Sequence, residues 1–403
     1  MRAAQNLRKL VRMSPTATTR ARQAGGPPAG QYSGRMIQPI VIWFGRVGDL
    51  ILLSTLFDIL HRRYGKPCRL VGAGAWTTEI YRTHRDVARI SCLRRYTPFI
   101  FDFAWWRALW ALRRNRSGPV YVCEYDPRKL KKIRRLLALG GIGPERCLFI
   151  TEQPSYHEVH WVDRLVSFGR LTPQALSEAD FPWPTTDPPL CAPRLEVSAD
   201  TRTDCSAWIA AQGWSGRPLI LVQPGNRRTM RGNKLRVSPH DDKAWPVERW
   251  AELLKRVHAH MPDAIIVLCG APRETLLLRW IHAAVQMPTV VYAAEIPLGR
   301  LLSLCEAAHS MISVDTGPAH AAAALSLPLV VLFGGHSQAE WLPRSPSGSP
   351  VIGVGGPPIS TRLDQISADA VFETWLTLLE RMPERQKALA GSAAQARSAG
   401  EAE

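Results

Sequence analysis

Two aspartates stand where the chain turns from an apolar run into a helical one, each within two residues of a glycine. Asp49 closes Gly45-Arg-Val-Gly-Asp49, between the short apolar strand Ile40 to Phe44 and a helix from about Leu50 to Tyr64. Asp315 opens Asp315-Thr-Gly-Pro-Ala-His320, after a strand at Ile312 to Val314. A carboxylate at the C-terminal end of such a strand projects where α/β sheets bind ligands. Asp49 could take a proton from an acceptor hydroxyl as general base. Equally, it could serve as a cap or first-turn carboxylate that favours the helix dipole. The second motif has the outline of an anion site. Pro318 suits the first helical position, and the backbone N–H groups of Thr316, Gly317 and Ala319 sit at a helix N-terminus, where phosphate is welcome. The plain rival is a stable βαβ unit whose Asp-Thr-Gly is a turn.

Two further residues could meet a nucleotide. Lys243 precedes the helix start Trp245-Pro246, from which its ammonium could reach a diphosphate at the helix N-terminus. Glu274 ends Gly270-Ala-Pro-Arg-Glu274 after a strand, and could accept hydrogen bonds from a ribose or be an ordinary first-turn acid. Between Asn226 and His240 the chain is very basic, with Arg227, Arg228, Arg231, Lys234 and Arg236, a phosphate clamp or a solvated loop. Gly45 to Asp49 lacks Gly-Lys-Ser/Thr, so it is no Walker P-loop, and Gly72-Ala-Gly74 lacks the third glycine of a dinucleotide fingerprint.

The elements that must position these residues alternate. Strands are expected at Cys68 to Val71, Ala88 to Leu93, Val120 to Glu124 and Cys147 to Ile150, with helices at Phe103 to Arg114, Pro127 to Leu139 and 155–170 between and after them. The pattern resumes with strands at Leu219 to Val222, Ile265 to Leu268, Val290 to Tyr292 and Pro328 to Gly334. Its helices begin near Pro246, Thr275 and Leu298, with a slim Ala-rich one after Pro318 and a last one at Leu363 to Leu379. Alternating β and α means parallel sheets covered on both faces, and 403 residues exceed one ordinary core. The prolines at 182, 184, 188, 189 and 193 mark a linker between two halves.

The net charge of +17 is concentrated. Residues 1–36 hold seven Lys/Arg and no acid, and residues 82–146 hold 16 Lys/Arg against five Asp/Glu. That points to an anionic partner for the first half, or to a solvated basic face. The helix from Pro127, with Lys129, Lys132 and Arg135 on its cationic side, could lie against anionic head groups. Trp105, Trp106 and Trp110 could meet lipid or sugar, though at helical spacing they suit a core. Eight scattered cysteines without a Cys-x-x-Cys pair favour reduced thiols in a cytoplasmic protein. No apolar run reaches the roughly 18 residues of a membrane span.

Three motifs in order, Gly48-Asp49, Pro224-Gly225 with Lys243-Ala-Trp-Pro246, and Asp315-Thr-Gly-x-x-His320 with its Ala-rich helix and Trp341-Leu-Pro343, make residues 38–345 resemble glycosyltransferase family 9, the ADP-heptose:lipopolysaccharide heptosyltransferases. The resemblance implies an α/β fold of the GT-B type, two Rossmann-like domains facing an interdomain cleft. The expected organisation is a disordered basic arm at 1–36, an acceptor domain at 37–185, a Pro-rich linker at 186–200 and a nucleotide-sugar domain at 201–360. A helix at 361–383 would pack back on the first domain, and 384–403 would be a disordered tail. It further implies an inverting, metal-independent transfer of heptose from ADP-heptose, with no cofactor. Asp49 would be the base; Lys243, Asp315, Thr316, Gly317, His320, Glu274 and Gly225 would hold the donor. Arg46, Lys129, Lys132 and Arg135 would face an anionic lipid-linked glycan acceptor or the inner membrane, where the chain would sit as a peripheral monomer on the cytoplasmic face, with nucleic acid not favoured. The rivals are a sugar-nucleotide epimerase of the same fold, which would need further acid/base groups in the cleft, and a non-enzymatic basic membrane- or nucleic-acid-binding protein.

Overall fold

The computed structural model describes residues 36–93, 103–154, 158–183, 191–226, 229–232, 234–235 and 244–382. The arm expected at 1–36, apart from Met36, and the tail at 384–403 lie outside the described residues. The first half runs β1 (Ile40–Trp43), α1 (Val47–Tyr64), β2 (Cys68–Ala73), α2 (Trp76–Tyr81), β3 (Val87–Leu93), α3 (Phe103–Arg114), β4 (Val120–Val122), α4 (Pro127–Gly140), β5 (Cys147–Phe149) and α5 (Trp161–Gly169). Its strands form one parallel sheet in the order β3-β2-β1-β4-β5. The order reverses beside β1, so a crevice opens past the C-terminal ends of β1 and β4. That crevice receives the Gly45–Asp49 turn.

Alternation along β1 explains the layers. Ile40 and Ile42 pack with Val71, Val120 and Val122 beneath α3 and α4, whereas Val41 and Trp43 pack with Leu70 and Tyr121 beneath α1 and α5. Both faces are covered, so β1 is apolar at every position. The apolar periodicity of α1 predicts one buried stripe, yet every residue from Leu50 to Leu60 is buried. The sheet covers one side, and α5 with a helix of the second half covers the others. Ser54, Thr55 and Asp58 find partners within the helix: Ser54 Oγ donates to Ile51 O at 2.9 Å, Thr55 Oγ1 to Leu52 O at 2.8 Å, and Arg62 pairs with Asp58 at 3.1 Å. Gly65 ends α1 at φ 69°, a left-handed turn in which its N–H donates to His61 O.

The second half continues α6 (Ala199–Ala211), β6 (Leu219–Gln223), β7 (Met230–Arg231), β8 (Lys234–Leu235), α7 (Val247–His260), β9 (Ile265–Gly270), α8 (Thr275–Val285), β10 (Val290–Ala294), α9 (Leu298–Ala307), β11 (Ser310–Val314), α10 (Gly317–Ala324), β12 (Leu329–Phe333), α11 (Gln338–Trp341), β13 (Val351–Gly355) and α12 (Ala368–Glu380). Six parallel strands follow the order β10-β9-β6-β11-β12-β13, while β7 and β8 make a small antiparallel ribbon inside the basic loop. Here the order reverses between β6 and β11, so the second crevice lies past Gln223 and Val314.

Several expectations need correction. The helix placed at 155–170 begins only at Trp161, because His160 caps it by accepting the Val162 N–H; residues 155–157 lie outside the described set. The last helix begins at Ala368 under a Ser367 cap, after a 3-10 turn at Leu363–Gln365. Nor does it pack back on the first half. It packs against α7, β12 and β13, where fully buried Trp375 donates its indole N–H to Ser310 Oγ at 3.2 Å. An amphipathic pattern specifies one buried face but not the surface that covers it. The eight cysteines are free thiols; burial pushes that of Cys269 up to about 12. Among the described residues no helix is long and apolar enough to cross a membrane.

Candidate active site

The two crevices meet at a pair of glycines. Gly48, in the first turn of α1, touches Gly317, the first residue of α10. An ideal Cβ on Gly317 would stand 3.1 Å from the Gly48 nitrogen, and one on Gly48 would stand 3.3 Å from Gly317 Cα. A side chain at either position would crowd the backbone of the other helix, so glycine at both lets these helix N-termini come this close. The alanines of α10 extend the contact. Ala321 and Ala324 join the core of α1, while Ala319, Ala322 and Ala323 join the core under the second sheet. A helix of methyl groups is thin enough to lie between them. The slim helix anticipated from the sequence thus packs against both halves.

Asp49 sits beside this contact, half-buried in the first turn of α1. Burial raises its pKa; the Arg46 charge and a hydrogen bond from the Arg46 backbone lower it, and the negative charges of Glu124 and Asp315 raise it. The net direction is upward. Arg46 is exposed at the rim of the same turn.

Glu124 is the carboxylate that sequence reasoning missed. It lies just past the C-terminal end of β4, as Asp315 lies past β11, and that shared position was the available signal. It is buried, and its oxygens accept from the backbone N–H groups of Phe44 at 3.2 Å, Tyr125 at 3.1 Å and Asp126 at 3.0 Å, and from Lys129 Nζ at 3.3 Å. It therefore fixes the end of β1, one residue before Gly45, to the start of α4. Lys129 belongs to this pair rather than to the surface cations with which it was grouped, while Lys132 and Arg135 are exposed.

On the second half, buried Asp315 is held by His336 Nδ1 at 2.8 Å, a partner the sequence did not suggest. Thr316 caps α10 by accepting the Ala319 N–H on Oγ1 at 3.4 Å, so of the three amides expected to await phosphate, Ala319's is engaged. No described group accepts from the Thr316 or Gly317 amide. His320 is buried in the helix contact, its Cδ2 3.6 Å from where a Gly48 Cβ would stand.

Glu274 and Gly225 meet at the β6 end of the crevice. Glu274 Oε2 accepts the Ala271 N–H at 2.7 Å, and Oε1 is buried with no hydrogen-bond partner among the described residues. A Cβ on Gly225 would stand 2.8 Å from that Oε1 and 3.0 Å from Leu277 Cδ2, so a larger residue there would press on the Glu274 carboxylate. Burial raises the pKa of Glu274, while the Ala271 amide and the Gln223 side chain oppose it. Lys243 lies outside the described residues. The Trp-Pro that follows it is placed as expected: Trp245 is buried and donates to Ile366 O at 2.9 Å, and Pro246 caps α7.

Aromatic rings line one wall of the junction. Trp43, Tyr125, Trp161, Trp341 and His336 follow one another with centroids 6.3, 5.1, 5.4 and 6.2 Å apart, and the Trp161–Trp341 stack joins the halves. Arg344 pairs with Asp163 at 2.6 and 2.8 Å beside it. His160 Nε2 donates to Leu342 O at 2.8 Å, and burial lowers its pKa, which suits a neutral ring whose Nδ1 accepts from Val162.

Residues 167–355 match the family model for glycosyltransferase family 9 (heptosyltransferase). The matched stretch begins inside α5 and ends with β13, so it carries Asp315, Glu274 and the whole second sheet, and Asp49 and Glu124 lie before it. Over 131 residues the chain is 25% identical to lipopolysaccharide heptosyltransferase 3 of Escherichia coli, which covers 32% of this chain and 35% of that protein. Over 112 residues it is 29% identical to the lipopolysaccharide core heptosyltransferase OpsX of Haemophilus influenzae, covering 27% and 32%. The chain thus spans about a third of the length of the curated relatives it matches.

In fold the likeness is longer. A family 9 glycosyl transferase of Veillonella parvula superposes with a TM-score of 0.65 at 15% identity, over 86% of this chain and 97% of that one. The Escherichia coli ADP-heptose lipopolysaccharide heptosyltransferase II does so with a TM-score of 0.63 at 21% identity, over 86% and 99%. The fold is α/β of the GT-B type.

Proposed function

We propose that the protein is an inverting glycosyltransferase that moves a heptose or related sugar from an ADP-sugar to a lipopolysaccharide core or similar glycan acceptor. The observation that carries this reading is the Gly48–Gly317 contact. It brings a general-base candidate of one half and a family 9 ligand motif of the other to one cleft. The relatives' own names, lipopolysaccharide heptosyltransferases, supply the substrate class.

In this reading the donor lies along the second crevice. Its diphosphate meets the Thr316 and Gly317 amides at the N-terminus of α10, with Lys243 as the added cation. Glu274 Oε1, buried with no hydrogen-bond partner among the described residues, suits a hydroxyl of the nucleoside. Asp315, oriented by His336, addresses the sugar. Asp49 takes the proton of the acceptor hydroxyl, whose oxygen attacks the anomeric carbon opposite the departing ADP, so one displacement inverts the configuration. Fixed amide dipoles and a lysine aimed at the leaving diphosphate act where charge develops. The raised pKa of Asp49 brings it nearer to matching the proton it must take.

Thermal shift against ADP, UDP, GDP, CMP and their sugars tests the donor. A nucleotide at roughly 100 times its Kd should add about 2.7 kcal/mol of stability. A shift confined to ADP and its sugars supports the reading, a shift with another nucleotide alone changes the donor, and none with any of them overturns it. The anomeric configuration of the product, read by NMR, tests inversion.

Glu124→Gln tests the electrostatics. Glu124's negative charge raises the pKa of Asp49. The base works deprotonated, so activity is lost as pH falls through that pKa. Removing the charge should move the acid limb of kcat/KM to lower pH. An unmoved or rising limb would separate Glu124 from the base.

A further inference from the structure

We infer that the outward side of α3 and α4 docks the protein on an anionic phospholipid surface. The inference deepens the proposed function by placing the protein where a lipid-linked acceptor lies, and it rests on that reading for its purpose but not for its test.

The observation is an aromatic stripe on the wrong side of a helix. Trp105, Ala108, Leu109 and Leu112 of α3 are buried against the first sheet. Phe103, Trp106 and Trp110, spaced i, i+3, i+7 on the opposite side, are 76%, 49% and 56% exposed. The core needs only the first set. Arg107, Arg113 and Arg114 stand exposed among these rings, and the Arg114 guanidinium lies 3.4 Å over the Trp110 ring.

The neighbouring helix completes the face. α4 packs beside α3 on the same side of the sheet, and Arg113 Nε donates to Leu139 O at 3.1 Å where the two helices end. Its exposed side carries Arg128, Lys131, Lys132, Arg134, Arg135 and Leu139, and neither helix contains an Asp or Glu. Half of the large exposed hydrophobic side chains among the described residues sit on these two helices, so the patch is a concentration and not scatter.

Charge alone would describe a solvated face. Water gives no reason for three large rings in a row between the cations. Tryptophan and arginine together are side chains whose apolar bodies enter the head-group layer while their polar ends stay wet. The absence of acids in both helices selects anionic over zwitterionic lipid. The rings stand on a helix crest, suited to dipping into a plane, whereas single-stranded nucleic acid follows a groove. The placement also suits the site, since Asp126, which caps α4, lies beside Glu124, and Lys129 of α4 holds that carboxylate.

The test uses the full chain and co-sedimentation with vesicles of phosphatidylcholine alone or mixed three to one with phosphatidylglycerol. The wild type should bind only the mixed vesicles. Trp106→Ala with Trp110→Ala leaves every charge in place and should lower partitioning by about tenfold or more at the same salt, because binding scales with the apolar area inserted. Trp106→Phe with Trp110→Phe should keep most of the binding. Both variants should keep the wild-type thermal shift with nucleotide, which separates this result from the fate of the donor assignment. Unchanged partitioning of the alanine pair would overturn the proposal, leaving attraction by charge alone. So would loss of self-association or of oligonucleotide binding in that pair with vesicle binding intact.

Discussion

Asp49→Asn should lower the rate of sugar transfer by about a thousandfold and leave the affinity for ADP unchanged. Asparagine keeps the size of the side chain and an oxygen that can still accept the Arg46 backbone N–H, the hydrogen bond that lowers the aspartate's pKa. What it lacks is the ability to take a proton. The nucleotide is assigned to the second half, around Thr316, Gly317 and Glu274, so its binding has no need of the Asp49 charge. The competing account makes Asp49 a carboxylate that merely favours the N-terminus of α1. Removing its charge would then cost about 0.3–1 kcal/mol of stability, with turnover per folded molecule unaltered. Single-turnover transfer and an ADP binding isotherm on the same preparation tell the accounts apart. If turnover and ADP binding fall by the same factor, Asp49 holds the donor and is not the base.

How much of this was legible before the structure depends on how local each signal is. The strands were readable because parallel strands covered on both faces are continuous apolar runs, as at Ile40 to Trp43 and Leu329 to Phe333. Asp49 and Asp315 were readable because glycine marks the turn that carries each. Glu124 was absorbed into an expected strand, Val120 to Glu124, that in fact stops at Val122. Its role rests on an amide eighty residues earlier in the chain, that of Phe44. His336 was invisible for the same reason, since its partner Asp315 lies on another strand's end. α6 buries only Cys205 and shows almost no periodicity, so nothing announced a helix there. β13, Val-Ile-Gly-Val-Gly, carries two glycines and sits in a stretch rich in glycine and proline that reads as loop. The tryptophans of α3 divided in a way periodicity could not settle, because Trp105 enters the core and Trp106 and Trp110 face out.

Gly317→Leu should lower transfer by about a hundredfold while the protein still unfolds in a cooperative transition. The reason is positional. A Cβ on Gly317 meets the backbone nitrogen of Gly48 at 3.1 Å, Gly48 Cα at 3.5 Å and Val47 Cβ at 3.6 Å. None of these is the end of a flexible side chain, so the larger residue can be admitted only by moving the start of α1 away from the start of α10. Each helix is anchored elsewhere. Leu50 to Leu60 are packed in the first half, and Ala319, Ala322 and Ala323 in the second. The strain therefore falls on the junction, and a displacement of about 1 Å between reacting groups is enough for a hundredfold loss. Gly317→Ala asks the backbone to yield only a few tenths of an ångström and should cost far less, so Ala, Val and Leu form a graded series. A Leu variant with wild-type kcat/KM would mean that the halves transfer sugar without this contact, and that the Gly48–Gly317 approach belongs to a resting form. A steep fall from Ala to Leu, with near-native melting, would place the glycine pair in the geometry that brings Asp49 to the donor.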